Sequence, residues 1–429
     1  MTTLEFSLLA LQHMEAYIAL WLGLFLLYRL LFWKTVQSIL DPLYFYVIFT
    51  NSICTANVIF LAMYNEIKMY YTLTYIFSEA ALLLGILLFA RPQPTFQVQT
   101  PSEQFVKQLK FGMLFTMIIA IGANLMVYVT NGIPLLLESR NDASAGGFGV
   151  MLRLSQVATA LFVLFYYVKK KITGKPNSKI ERLLFLISIM FGALSGYKAF
   201  FLFYIFIYFL TNGRTTPLSF KKKFLLTLGG IVVMLMMFSV VLGTTDIGAM
   251  IGGLMTRLLA SGDVYYMAFV DDTIDLLPPQ GFFYQLFGSL LASFRVVSWD
   301  AAPLNYGYAI NEVVNKNDLL FGPTFRYNVL WLLLTQSPVL TTILSFVVGA
   351  IIGLLNRALN QMKRLGLGFI VIAFFYYKSF LLILGPDHAV NDVVLSAFIF
   401  IFIAAIIFLP IHSRRPGSKT IAASASASA

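Results

Sequence analysis

A short turn near the C-terminal end of this chain holds the residues best suited to acid–base chemistry. The stretch 385–392 reads GPDHAVND and places His388, one of three histidines, directly after Asp387. Histidine and aspartate are common proton-handling side chains, so His388, oriented by Asp387, is the first candidate base. Glu138 and Asp142 are the second candidates. The alternative is that this turn only caps the helix that follows it.

Cations that we assign to the outer side of a membrane form the second informative set. Arginine suits bidentate binding of phosphate, and Lys378 interrupts an apolar run, where a charge normally faces a polar cavity. The alternatives are surface ion pairs for the arginines and, for Lys378, a side chain that reaches outward to the interface. Together these cations predict an outer cavity for which a lipid-linked pyrophosphate is the best-fitting anion. The set comprises Arg140, Arg153, Lys198, Arg257, Arg295, Arg326 and Lys378.

The sequence does not predict a metal site. Three histidines and a single cysteine, Cys54, cannot supply a zinc site of the Cys/His type, and no HExxH motif occurs. A metal held by carboxylates alone stays open. We therefore expect chemistry that uses neither a metal nor a cofactor.

The composition identifies the scaffold that must position these residues. Of the 429 residues, 59% are hydrophobic and only 11% are charged, whereas soluble proteins carry roughly 25% charged residues. The mean hydropathy is +0.82. These values exclude a soluble enzyme, a disordered chain and a disulfide-stabilised secreted domain. The predicted fold class is an all-α polytopic membrane protein.

Apolar runs predict about eleven transmembrane helices, since a helix needs roughly 20 apolar residues to cross the hydrocarbon core. The sixth and seventh runs are short and nearly contiguous, so they can form one tight hairpin or a single broken span. The predicted spans are 15–33, 42–64, 69–90, 111–130, 151–168, 181–196, 199–212, 223–243, 339–357, 366–385 and 390–411.

The placement of basic residues predicts the orientation of these helices. Most of the 30 Lys and Arg residues fall in alternate loops, which the positive-inside rule assigns to the cytoplasm. This pattern also argues against nucleic-acid binding despite the net charge of +11. Residues 1–421 then form one transmembrane domain with outer loops at about 131–150 and 244–338. The larger loop is predicted to contain amphipathic helices that are interfacial or partly re-entrant. The tail 422–429 is low-complexity and typical of a cloning remnant.

Several local motifs carry a resemblance to a known family. They are NGIPLL at 131–136 followed by Arg140 and a Gly-rich stretch, a Gly-Tyr-Lys tip at 196–198, Arg257 with Gly-Asp after it, and Gly-Pro before Arg326. In these motifs, and in the organisation of nearly the whole chain, the sequence resembles the bacterial O-antigen polymerases. These Wzy-type oligosaccharide repeat-unit polymerases are related to the O-antigen ligases.

The resemblance implies a GT-C-type glycosyltransferase architecture with a large periplasmic loop, in the bacterial inner membrane. It implies metal-independent transfer from an undecaprenyl-pyrophosphate-linked donor to a lipid-linked acceptor at the periplasmic face. Membrane lipids and a chain-length regulator protein are the implied partners. Periplasmic arginines are the characteristic functional residues of the family, here Arg140, Arg153, Arg257, Arg295 and Arg326.

Two other functions stay open at this stage. An O-antigen ligase has the same fold and attaches a finished chain to the lipid A-core. A polysaccharide flippase would also be basic, polytopic and free of metal. It would, however, need a charged path that reaches the middle of the helix bundle, whereas the unusual charges here are predicted to gather at the outer face.

Overall fold

The computed structural model is predominantly helical in the residues that it describes. These residues are 1–36, 38–92, 102–137, 143, 148–196, 200–213, 219, 246–298, 301–316 and 322–408, with isolated positions between 221 and 239. Within this part of the chain no β-strand occurs. Ile67 and Val270 form an isolated antiparallel bridge.

The helices of the described chain are numbered in order. The first eight are α1 (Thr3–Gln12), α2 (Met14–Leu31), α3 (Thr50–Met63), α4 (Met69–Phe89), α5 (Glu103–Asn131), α6 (Gly149–Thr173), α7 (Lys179–Leu194) and α8 (Phe200–Tyr208). The later ones are α9 (Ile247–Leu259), α10 (Asp263–Phe269), α11 (Phe282–Ser293), α12 (Tyr306–Asn315), α13 (Tyr327–Thr335), α14 (Pro338–Gln361), α15 (Leu367–Ser379), α16 (Leu381–Leu384) and α17 (Pro386–Phe408).

Eight helical segments of the described chain are long and apolar enough to cross a membrane, and each coincides with a predicted span. The prediction of an all-α polytopic membrane protein is therefore confirmed. Of the other three predicted spans, 181–196 corresponds to the shorter α7, 199–212 to the apolar segment Phe200–Asn212, and 223–243 lies largely outside the described residues. The eight segments are Met14–Leu31, Tyr44–Met63, Met69–Phe89, Glu103–Leu136, Gly149–Thr173, Pro338–Gln361, Leu367–Leu384 and Pro386–Phe408.

Local sequence determines where several of these helices begin and end. The hydroxyl of Ser102 caps α5 by accepting a hydrogen bond from the backbone N–H of Phe105. Ser178 and Glu181 form a capping box at the start of α7. Gly174 ends α6 with a φ of 63°, a left-handed conformation that glycine adopts without a steric penalty. Each device satisfies backbone groups that a helix end leaves unpaired.

Glycines bring α4 and α14 into close parallel contact. A Cβ atom at Gly85 would lie 2.5 Å from the backbone oxygen of Phe346, so only glycine allows this approach. At the far end, the backbone N–H of Arg91 donates to Asn356, and its carbonyl accepts from Asn360. The C-terminal ends of α4 and α14 therefore lie at the same end of the bundle, in agreement with the predicted orientation.

The opposite end of the bundle contains the start of α17. Helix α5 runs antiparallel to α6, with Asn124 donating to Ser155 at 2.6 Å. Arg153, near the start of α6, contacts Asp392, near the start of α17. Lys378, near the end of α15, contacts the same aspartate. The starts of α6 and α17 and the end of α15 thus form one end of the bundle, which is the outer end in the predicted orientation.

The segment that carries α9 to α13 packs into the bundle rather than standing away from it. Helix α10 is buried, and its Tyr266 stacks on Phe6 of α1 with ring centroids 4.4 Å apart. Just before α4, Lys68 forms a surface ion pair with Asp272 at 2.5 Å, and this hydrogen bond raises the pKa of Lys68. Helix α11 is amphipathic, as predicted, with Phe283 exposed on one side.

Candidate functional site

The end of the bundle that is predicted to face outward contains a cluster of three ionisable groups, which we call the outer cluster: Lys378 and Asp392 are buried, and Arg153 is partly exposed. Lys378 Nζ lies 2.8 Å from Asp392 Oδ2, and Arg153 Nη1 pairs with the other carboxylate oxygen. Side-chain exposure is 11% for Lys378 and 3% for Asp392. No other carboxylate of the described residues forms an ion pair with either cation. The cluster therefore holds two basic side chains against one carboxylate.

His388 lies beside the outer cluster on the same helix. His388 and Asp392 are four positions apart in α17, and residues at this spacing are neighbours on a helix surface, with Cβ atoms about 5–6 Å apart. The imidazole is open to solvent, with 57% of its side chain exposed, whereas the Asp387 side chain is buried. An exposed base next to a buried surplus cation can receive a proton while an anion is held nearby.

Nε2 of the imidazole ring has two polar neighbours. His388 Nε2 lies 3.5 Å from Asp387 Oδ2 and 3.4 Å from Asn305 Nδ2, at the cap of α12. The predicted pairing of His388 with Asp387 is thus present in the structure. Asn305 was not predicted, because 83 residues separate it from His388.

The segment between α11 and α13 lies over this end of α17. Ser293, the last residue of α11, donates a hydrogen bond to Asn391 at 3.2 Å. A Cβ atom at Gly385 would lie 3.1 Å from the Thr324 methyl group, so the loop before α13 contacts the turn before α17. These contacts leave the His388 ring exposed while they cover the neighbouring backbone.

A second set of charges lies deep in the bundle, and we call it the inner network. Glu79, at the middle of α4, accepts hydrogen bonds from Tyr28 at 3.1 Å, Asn51 at 3.0 Å and Tyr327 at 2.5 Å. Arg326 donates to the carbonyl oxygen of the same Asn51 side chain. Glu79 and Arg326 are 4% and 3% exposed. One amide thus joins a buried anion to a buried cation, and the network contains equal numbers of each.

Sequence reasoning missed Glu79, although a signal for it exists. It is the only charged residue between 69 and 89, and a carboxylate within a transmembrane helix normally has a partner or a function. Asp392 was predicted as a second carboxylate of the histidine turn or as a helix cap, and the structure pairs it with two predicted cations. Charge within the apolar runs is more informative here than charge in the loops.

The remaining predicted residues do not join the outer cluster in the described structure. Arg326 belongs to the inner network, and Arg295 is exposed at the end of α11 with a φ of 57°. Glu138, Arg140, Asp142 and Lys198 lie outside the described residues, and so does the side chain of Arg257 in α9. Their roles stay predictions.

Metal-ligating side chains do not gather anywhere in the described part of the chain: no group of three or more His, Cys, Asp or Glu residues there could hold a metal ion. No protein-family model, curated protein or solved structure matches the sequence or the fold. A functional proposal therefore depends on the chemistry of the outer cluster and of His388.

Proposed function

We propose that this protein polymerises undecaprenyl-pyrophosphate-linked oligosaccharide repeat units into O-antigen or a capsule-like polysaccharide. It does so in the bacterial inner membrane, at the periplasmic face, by inverting glycosyl transfer without a metal. A chain-length regulator and the surrounding lipids are its partners. The resemblance of the sequence to the polymerase family motivates the proposal, and the outer cluster supports it.

The single observation that carries the proposal is the surplus cation of the outer cluster beside an exposed histidine. When a sugar leaves a lipid pyrophosphate, negative charge develops on the phosphate oxygens. Fixed cations in a water-poor site stabilise such charge strongly, because they need little reorganisation during the reaction. Arg153 and Lys378 have one carboxylate, that of Asp392, between them, and they are suited to this role.

His388 supplies the base in this mechanism. The ring accepts the proton of the acceptor sugar hydroxyl, whose oxygen attacks the anomeric carbon from the face opposite the pyrophosphate. Attack on that face inverts the configuration of the carbon, as in other single displacements of sugars. Asp387, at 3.5 Å, then stabilises the charged ring.

Eleven spans and a GT-C-type architecture belong to the same proposal. Helix α15 ends beside the start of α6, and α14 is antiparallel to α15. Helix α14 therefore begins at the end of the bundle where α6 begins, whereas α6 ends at the opposite end. The chain between them therefore crosses the bundle an odd number of times. The predicted spans 181–196, 199–212 and 223–243 supply three such crossings.

Cysteine labelling tests this orientation. Cys54 is buried, so the background reaction with an impermeant thiol reagent will be low. A cysteine replacing Val313, which is 39% exposed, should react in intact spheroplasts, and one replacing the exposed Lys175 should react only after lysis. Labelling of the cysteine at position 175 in intact spheroplasts would contradict the predicted orientation.

A flippase remains the second candidate because of the inner network. Glu79 and Arg326 place charge in the middle of the bundle, where a transporter needs it. In this structure, however, the charges face each other through Asn51 and are almost fully covered. This arrangement favours a role in holding helices together over one in guiding a substrate.

The lipopolysaccharide of a strain that lacks the gene separates the candidate functions. Loss of a polymerase leaves one repeat unit on the lipid A-core, whereas loss of a ligase or flippase leaves none. A normal ladder of chain lengths in that strain would contradict all three functions.

A further inference from the structure

The Nε2 atom of His388 faces two groups with opposite requirements. The carboxylate of Asp387, at 3.5 Å, can only accept a hydrogen bond from a protonated Nε2. The amide nitrogen of Asn305, at 3.4 Å, can only donate one to an unprotonated Nε2. A neutral ring cannot satisfy both neighbours at once, so the tautomer of His388 decides which contact is made.

The orientation of the Asn305 amide is determined by the backbone of α12. Its Oδ1 atom accepts hydrogen bonds from the N–H groups of Gly307 at 3.0 Å and Tyr308 at 3.3 Å. Exchanging the oxygen and nitrogen would place an NH₂ group against two N–H donors. The amide nitrogen must therefore face His388, and this orientation is independent of any assumption about the ring.

We propose that Asn305 is a positioning residue that holds neutral His388 with its proton on Nδ1 and a free electron pair on Nε2. The inference rests on the proposed function, in which His388 is the base. The contact of 3.4 Å is long for a hydrogen bond, so an acceptor hydroxyl can displace the amide from Nε2 at little cost. Nε2 is then the atom that receives the proton.

Proton transfer exchanges one neighbour of Nε2 for the other. The O–H bond of the acceptor breaks, its proton passes to Nε2, and its oxygen forms the new bond to the anomeric carbon. The bond from that carbon to phosphate breaks, and its electron pair leaves with the lipid pyrophosphate. The new Nε2–H donates to Asp387, and the proton later leaves to water from the exposed ring.

Charged groups of both signs lie near the ring. Asp387 is the neighbouring residue on α17, and Arg153 of α6 and Lys378 of α15 contact Asp392, four positions further along the same helix. Asn305 of α12 is neutral and acts only by donating a hydrogen bond. Its effect is therefore on the position of the proton within the neutral ring, which spectroscopy measures directly.

The test is ¹⁵N NMR of the full-length protein labelled at histidine, at a pH where the ring is neutral. The chain has three histidines, so a His13→Gln, His412→Gln background leaves the signals of His388 alone. The shifts of the two ring nitrogens distinguish the tautomers. We expect the proton on Nδ1 in this background.

Two variants of Asn305 change the donor while they retain the helix cap, because Asp and Ser cap as well as Asn. Asn305→Asp replaces the donor with an acceptor and should move the proton to Nε2. Asn305→Ser removes the amide NH₂ that lies 3.4 Å from Nε2, and its shorter side chain should leave a mixture of the two tautomers. Asn391→Asp is the matched control, since it adds the same charge on α17 at a residue that contacts Ser293 rather than the ring, and it should leave the tautomer unchanged.

Polymerisation of lipid-linked repeat units by the same variants links the tautomer to function. Asn305→Asp should lower kcat by about 10- to 100-fold with little change in KM, a part of the contribution that a positioned base makes. A proton on Nε2 in the parent background, or the same tautomer in that background and in Asn305→Asp, overturns the inference. If the tautomers shift as expected but His388→Ala polymerises normally, the proposed role of His388 fails while the Asn305 contact stands.

Discussion

The outer cluster and the inner network use the same kinds of residue to different ends. In the inner network one carboxylate, Glu79, faces one guanidinium, Arg326, through a shared amide. In the outer cluster one carboxylate, Asp392, faces two cations. Apart from the partly exposed Arg153, the charged side chains of both sets are buried, so the difference in charge balance matters more than in water. A network with equal numbers of acidic and basic groups can stabilise a helix bundle without a ligand, whereas a network with an extra basic group can bind an anion.

The largest expected effect comes from unbalancing the inner network. Arg326→Met removes the cation that faces Glu79, and breaking a buried pair typically costs about 3–5 kcal/mol of unfolding free energy. Adding Glu79→Gln restores the balance and should recover much of that loss. Unfolding in detergent, followed by circular dichroism, measures both variants. If Arg326→Met is as stable as the wild type but inactive, Arg326 binds substrate instead.

A smaller but specific effect is expected when the outer cluster is made balanced. Lys378→Met leaves a one-to-one pair of Arg153 and Asp392, so the protein should fold normally. Polymerisation should fall by about 10²–10³-fold, the range for removing one group that stabilises transition-state charge. The matched control is Lys68→Met, which removes a lysine from an exposed ion pair with Asp272. Equal activity of the two variants would show that the surplus charge is not used.

Replacing one cation of the outer cluster by another should have the smallest effect. Arg153→Lys keeps the charge and loses the planar fork that binds phosphate oxygens in pairs. We expect a decrease in polymerisation of about tenfold, roughly 1.4 kcal/mol, with stability unchanged. The same exchange at exposed Arg295 serves as the control and should have a weaker effect. An unimpaired Arg153→Lys variant would indicate that only the charge at this position matters.

The sequence was sufficient to predict the helices but only part of the site. Long apolar runs are determined locally, which is why α4 and α14 were predicted within a few residues of their bounds. The partners of buried charges are not local in the sequence, since Arg326 and Asn51 are 275 positions apart. The spacing of the arginines does not predict that Arg326 and Arg153 have different surroundings. Their different surroundings appear only when the helices are packed.

The pair of His388 and Asp387 was predictable because the two residues are adjacent in the chain. Asn305 was not, since its contact with His388 depends on how the segment before α12 lies over α17. Glu79 was accessible in principle as a lone carboxylate within an apolar run. The lesson is physical: in a membrane bundle, the partners of buried charges come from helix packing, and sequence separation carries little information about them.

The most direct test of the central claim is polymerisation by the purified protein in excess EDTA, with lipid-linked repeat units as both donor and acceptor. The wild type should extend these units into longer lipid-linked chains, and the His388→Ala variant should lose most of this activity while it remains folded. Activity that EDTA abolishes and magnesium or manganese restores would contradict the metal-free mechanism. A folded wild type that forms no longer chains would contradict the proposed glycosyl transfer.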